Sequence, residues 1–217
     1  MDWQRTSIIK TEQAADDIRS VLLRPEIWIP HRAGQHYDLR IPGTEISRKY
    51  SVVSSPNRIG ELEFGIQLIE GGVISPKIWE MKIGDELEIQ GPWGESFVWE
   101  PSMGGPIVLI GAGSGITPLL SIHDAYREKH KAGECYFLMS AKNEKKIMHF
   151  EKIRNSLITR FTERDGRIDR AFLRSSVSPR PETLCYVCGP DSFIDDIVDL
   201  LIELGFPEKG IKSERFI

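Results

Sequence analysis

Residues 106–118 read P-I-V-L-I-G-A-G-S-G-I-T-P. The run I-V-L-I is continuously apolar, as a parallel strand buried on both faces must be. Pro118 suits the first turn of a helix, where a missing N–H costs nothing. Between strand and helix stand Gly111, Gly113 and Gly115. Glycines there let the backbone close on an anion while the helix start offers it unpaired N–H groups. The stretch therefore reads as strand, phosphate-binding turn and helix, the first unit of a doubly wound sheet.

Downstream the alternation continues. A helix is expected over 117–131, with Gly133 past its end, then a strand over 135–139, a helix over 145–156 and a strand over 184–188. Phe193, Ile194, Ile197, Val198, Leu201 and Leu204 form one helical stripe, with Asp195, Asp196, Asp199 and Glu203 opposite and Gly205 as the stop. Upstream the pattern differs. Short strands are expected over 36–41, 50–54, 62–69 and 86–90, separated by turns at 56–60 and 84–85. E-P-S-M-G-G at 100–105 is the expected linker. The predicted architecture is an N-terminal antiparallel Greek-key β-barrel over 1–102 and a C-terminal α/β doubly wound parallel sheet over 103–217.

The 217 residues suffice for two domains, and 40% hydrophobic with 28% charged residues is a globular composition. A net charge of −4 gives no reason to expect nucleic acid or an anionic membrane as partner. The first ten residues lack a leader pattern, and no apolar run reaches the roughly 18 residues that span a bilayer. Three cysteines cannot all pair within the chain, so a cytoplasmic location is expected.

Residues 48–54 read R-K-Y-S-V-V-S. On a strand, Arg48 offers a cationic fork for phosphate, Tyr50 a ring two residues on, and Ser51 and Ser54 hydroxyls. By itself the same stretch equally describes a barrel strand with a surface Arg and a core Tyr. Residues 71–75, G-G-V-I-S, precede a short helical stretch over 76–81 and could expose N–H groups to an anion; alone they read as a plain turn. Cys185 and Cys188 form a C-x-x-C, but strand residues three apart face opposite ways at roughly 10 Å, beyond disulfide reach. His31, His36, His123, His130 and His149 show no metal-ligand spacing and read as structural or surface.

Taken in order, R-K-Y-S-V-V-S, G-G-V-I-S, G-P-W-G-E-S-F (91–97), G-A-G-S-G-I-T-P, Y-V-C-G-P (186–190) and the closing E-R-F resemble the ferredoxin–NADP reductase superfamily over nearly the whole chain. The resemblance implies a flavoprotein oxidoreductase with FAD and NADPH or NADH. Arg48 would hold flavin phosphates, Tyr50 would cover one ring face and Ser51 would approach the reactive nitrogen. Gly72, Val73, Ile74 and Ser75 would bind the pyrophosphate, for which FAD is preferred to FMN. Gly111, Gly113, Thr117, Gly189 and Pro190 would hold the nicotinamide nucleotide, and Cys188 would align its ring. Glu214 would support the hydrogen-bond network and Phe216 would cover the second flavin face, although Phe replaces the usual Tyr and Ile217 follows it.

No acid stands between Ser140 and Glu144, where one would grip an NAD ribose. Thr159-Arg160 resembles a pair that meets the 2′-phosphate, so Lys142 and Arg160 lean towards NADPH without deciding it. A C-x4-C-x2-C cluster motif is absent, so electrons are expected to pass to a separate acceptor, a ferredoxin, an oxygenase or another redox partner. Two alternatives stay open: a reductase that releases flavin as a substrate, and an electron-transfer subunit of a larger redox enzyme.

Overall fold

A computed structural model describes residues 2–130 and 134–216. Lys131 and Gly133, at the expected end of one helix, and Ile217 lie outside the described residues. The first half forms six antiparallel strands: β1 (Gln4–Ala15), β2 (Ile18–Pro25), β3 (His36–Arg40), β4 (Ser47–Ser51), β5 (Leu62–Gln67) and β6 (Glu86–Trp93). Their order is β4-β3-β6-β1-β2-β5, and a bridge between Val52 and Phe64 brings the two edge strands together into a barrel. Alternation drives this closure. In β5, Leu62, Phe64 and Ile66 are fully buried and join Val21, Leu23, Leu39, Leu87 and Ile89 in one core. The short helix α1 (Ser75–Glu80) adds Ile78 to that core, and the Trp79 indole donates to the Ile66 carbonyl at 2.8 Å.

The second half is a five-stranded parallel sheet: β7 (Ile107–Ala112), β8 (Cys135–Ala141), β9 (Leu157–Phe161), β10 (Leu184–Gly189) and β11 (Ile211–Arg215), ordered β11-β10-β7-β8-β9. Its strands carry the helices α2 (Ile116–Lys129), α3 (Phe150–Ile153), α4 (Thr162–Asp165), α5 (Arg170–Ser176) and α6 (Asp191–Glu203). Ile107 and Leu109 pack with Leu119 and Ile122 of α2, whereas Val108 and Ile110 pack with Ile194 and Ile197 of α6. The run I-V-L-I is thus covered on both sides, as its composition requires. The chain reverses direction across the sheet between β7 and β10, and in such sheets ligands settle at the carboxyl ends beside that switch.

The expected helix over 145–156 does not form. Residues 144–146 and 154–156 are single 3₁₀ turns flanking the one-turn α3. Asn143 accepts from the Lys145 N–H, and His149 takes a left-handed φ of 56°. His149 is held there by the barrel: its N–H donates to the Ala14 carbonyl at 2.9 Å, and its Nε2 meets Glu63 Oε1 at 2.7 Å. Docking between the halves overrides local helix propensity. The same seam carries a Ser121 hydroxyl donating to the Ser54 carbonyl at 2.8 Å and a Tyr186 hydroxyl donating to the Val98 carbonyl at 2.9 Å. Gly65 lets Thr117 and Met148 approach β5, because a Cβ there would fall 2.7 Å from Thr117 Cγ2.

Burial pushes the Glu63 carboxyl up, but hydrogen bonds from His149 and Ser20 outweigh it and hold the group below the ordinary carboxylate value. Glu63→Ala is expected to cost about 1–3 kcal/mol in urea unfolding, the range for a buried group left unpaired. Because the folded value is depressed, this contribution exists above the unfolded value, about 4.3, and disappears as pH falls through the folded value. The gap between wild type and variant should therefore close in acid.

Candidate active site at the junction of the two sheets

Four side chains from four strands meet where the barrel edge touches the carboxyl edge of the parallel sheet. Ser51 on β4 is the register partner of His36 on β3. Residues directly opposite in an antiparallel pair share a face. His36 Nδ1 lies 3.9 Å from Glu214 Oε1, crossing from the barrel to β11. Glu214 in turn is the register partner of Cys188 on β10, and Cys188 is the partner of Gly111 on β7. Ser51, His36, Glu214 and Cys188 therefore form one continuous line through the junction. Local sequence gives no sign of His36's place in it, because the contact spans almost the whole chain.

Burial pushes the Glu214 carboxyl up to about 7, with the Lys49 ammonium pulling the other way. Burial and then Lys49 lower His36, so around neutral pH the imidazole is uncharged while the Glu214 carboxyl is poised between its two forms. Burial, and next the Glu214 carboxylate, raise the Cys188 thiol well above its usual value, so it stays protonated and is no nucleophile. Cys185 packs in the core on the opposite sheet face, as the three-residue spacing demands, and all three cysteines are free.

Two buried polar atoms at this junction, Glu214 Oε2 and Trp93 Nε1, have no partner among the described residues. Trp93 lies in register with His36, and a Cβ on Gly94 would stand 3.4 Å from His36 Nδ1. An orphaned acceptor and an orphaned donor beside Ser51 suit a ligand with polar edges, because native proteins seldom leave such atoms unpaired. The residues therefore fit a flavin ring. Lys49 and Trp93 lie within R-K-Y-S-V-V-S and G-P-W-G-E-S-F, but the sequence reading gives neither a role.

The other expected flavin residues lie nearby on separate surfaces. Tyr50 and Arg48 project from the opposite face of β4 to Ser51: the Tyr50 ring packs against the barrel core, and the Arg48 guanidinium is exposed. Ser75 accepts from the Ile69 N–H at 3.1 Å and closes the 69–75 loop, Ile74 is buried in the core, and Gly72 and exposed Val73 form the loop surface. Ser54 stands apart. Its hydroxyl accepts from the Glu63 N–H at 3.1 Å, within the seam between the halves.

On the nucleotide side, Gly113 takes a φ of 56° and no atom would obstruct a Cβ there, leaving its backbone open. Gly115 is the reverse case, since a Cβ would lie 2.3 Å from the Cys188 carbonyl oxygen. Glycine there lets the turn rest directly on the end of β10. Thr117 is buried and donates to the Ser114 carbonyl at 3.0 Å, fixing the turn, and Pro190 caps α6. The Phe216 N–H donates to the Gly189 carbonyl at 3.0 Å, and the ring packs against the core that contains Cys188. Arg215 forks onto Asp191 and Asp195 and pins β11 to α6. Lys142 is exposed, whereas Arg160 is turned onto Asp169 at 3.3 Å and over the Phe172 ring.

Fold and site together define an oxidoreductase module with one flavin-binding and one nicotinamide-nucleotide-binding domain. Residues 7–98 match the oxidoreductase FAD-binding domain and residues 109–199 the oxidoreductase NAD-binding domain. The chain, most of which the two matches cover together, thus joins an oxidoreductase FAD-binding domain to an oxidoreductase NAD-binding domain. It is 28% identical to the reductase component of propane 2-monooxygenase from Rhodococcus jostii, covering 98% of this chain and 63% of that protein. It is 26% identical to the phenol hydroxylase P5 protein of Acinetobacter pittii, covering 100% and 66% respectively. The chain thus spans slightly less than two thirds of the length of these relatives. A cytochrome P450 reductase from Amycolatopsis superposes with a TM-score of 0.85 at 24% identity, over 99% of this chain and 70% of that one. Among the described residues no helix is long and apolar enough to cross a membrane, and no group of three or more His, Cys, Asp or Glu could hold a metal.

Proposed function

We propose that this chain takes a hydride from NAD(P)H to FAD and passes the electrons to a separate acceptor protein of the oxygenase-component class. The line Ser51–His36–Glu214–Cys188 carries this reading, because it joins the flavin-binding strand to the carboxyl edge that holds a nucleotide. The relative named as the reductase component of propane 2-monooxygenase supports the choice of acceptor. The proposed division is a flavin domain over 1–102 and a nucleotide domain over 103–217. Bound FAD would accept two electrons together and release them singly.

The protein's own work is positioning. The open backbone at Gly113 and the start of α2 receive the nucleotide phosphates. Arg48 and the 72–75 loop receive those of the flavin. The protonated Cys188 thiol is buried at the end of β10, where it would form an uncharged floor beneath a nicotinamide ring, and Phe216 packs against the same core. Ser51 orients the reactive edge of the flavin, and Glu214 holds a proton at the junction near neutral pH.

The test is the absorbance of purified protein before and after anaerobic NADH or NADPH. Flavin absorbance that bleaches is the expected result. A colourless protein that exchanges added FAD freely would replace this reading with a flavin-releasing reductase. Ser51→Ala should slow flavin reduction about tenfold, one hydrogen bond's worth, with flavin affinity nearly unchanged. Stopped-flow rates equal to wild type would remove Ser51 from the mechanism.

A further inference from the structure

The sequence offers no acid at the end of β8, where an NAD ribose is usually gripped. The fold brings one in from elsewhere. Ser140 pairs with Ala112 on one side and Arg160 on the other, and Ala141 pairs with Phe161. Asn143 and Glu163 therefore each stand two residues beyond a matched pair, just past the carboxyl edge that carries the glycine turn. They are joined there: Asn143 Nδ2 donates to Glu163 Oε2 at 3.0 Å. The amide is fixed at its other end too, because Asn143 Oδ1 accepts from the Lys145 N–H at 3.1 Å. The Glu163 N–H donates to the Lys142 carbonyl at 3.3 Å, which ties the two strand ends together. Glu163 itself is exposed, so its carboxylate remains accessible at this edge.

The nearby arginines are committed to other carboxylates. Arg160 is turned away onto Asp169 and the Phe172 ring. Arg164 is held by both oxygens of Asp165, at 2.8 and 2.9 Å. What reaches the edge beside the phosphate turn is thus an oriented carboxylate, with the Arg160 and Arg164 guanidinium groups each on an aspartate, Arg160 Nε left without a partner among the described residues and Lys142 exposed at the same edge. A ribose diol can donate to such a group, whereas a 2′-phosphate carries negative charge into it.

We infer that Glu163, oriented by Asn143, selects the nicotinamide nucleotide, accepting hydrogen bonds from the adenosine ribose hydroxyls of NADH and repelling the 2′-phosphate of NADPH. The inference rests on the nucleotide site proposed above, and it reverses the lean towards NADPH that Lys142 and Arg160 suggest in the sequence.

Equilibrium titration of the full-length protein with NADH and with NADPH tests it independently of turnover. NADH should bind at least about tenfold tighter, a difference of about 1.4 kcal/mol. Glu163→Gln keeps the shape and removes the charge, and should cut that ratio several-fold, chiefly by strengthening NADPH. Glu163→Arg should invert it. Equal binding of the two nucleotides by wild type, or tighter NADPH, overturns the inference and leaves the proposed function standing. A ratio that Glu163→Gln does not move overturns the role of Glu163. If neither nucleotide binds, the nucleotide site itself is wrong and the inference falls with it.

Discussion

Gly115→Ala is expected to lower nicotinamide-driven flavin reduction by about a hundredfold or more while leaving flavin binding intact. The residue's backbone is ordinary: its φ is −59°, which alanine adopts freely. The obstacle is space. An added Cβ would stand 2.3 Å from the Cys188 oxygen, 2.6 Å from its carbonyl carbon and 2.9 Å from the Gly189 nitrogen. All three are backbone atoms of β10, so no side chain can swing aside. Either the turn lifts off the strand or the end of β10 moves, and each separates the phosphate cradle from Cys188. A displacement of about 1 Å at a reacting centre costs on the order of a hundredfold in rate. The three obstructing atoms all belong to β10 and none to the barrel half, so a flavin titration should match wild type. Gly113→Ala is the contrasting variant. It meets no protein atom but must adopt a φ of 56°, so it should lose about 1 kcal/mol of stability, and its Cβ at the proposed phosphate turn should weaken nucleotide binding more than it slows reduction at saturating nucleotide. Reduction rates within threefold of wild type for Gly115→Ala would show that the turn tolerates the shift and that Cys188 is not held by it.

The contact at Gly115 is also where the sequence was most readable. An apolar run, alternating glycines and an early proline leave one economical arrangement, and strand, turn and helix appear in that order. The opposite faces of Cys185 and Cys188 followed from the two-residue strand period alone. Other elements were hidden for identifiable reasons. The long β1–β2 hairpin carries irregularities between Ile8 and Lys10 and between Gln13 and Ala15, and each breaks the alternation by which a strand is read. β11 reads I-K-S-E-R and sits at a sheet edge, held by pairing with β10 and by Arg215 rather than by an apolar face. The chain around His149 looks helical until the barrel is placed against it. At the site, motifs pointed to Ser51, Cys188 and Glu214, because those residues sit in short segments with strong local signatures. His36 and Glu163 make their contacts with other segments, which no local pattern encodes, whereas Trp93 lies inside a quoted motif that gave it no role.

Glu214 yields the second large effect, and its sign can be worked out. Its carboxyl is pushed up to about 7 in the folded protein, chiefly by burial, against roughly 4.3 for a free glutamate. The groups facing it are His36 from β3, Cys188 from β10 and Lys49 from β4, and only the Lys49 ammonium favours the carboxylate. An acid with a raised folded value binds its proton more tightly when folded. Its contribution to stability is fully present below about pH 4.3 and is lost as pH rises through about 7. Glu214→Gln keeps the shape and never ionises. In protein stripped of flavin, the variant should match wild type in acid and become the more stable of the two above neutrality, by about 2–3 kcal/mol once residual exposure is allowed for. Urea titrations across that range read the difference directly. In the flavin-loaded protein the same substitution should erase an inflection near pH 7 in the reduction rate, because the proton held at the junction is then gone at every pH. A wild type that instead grows more stable relative to the variant as pH rises would mean that Lys49 or His36 pairs with an ionised Glu214, and the proton would have to be placed elsewhere in the line from Ser51 to Cys188.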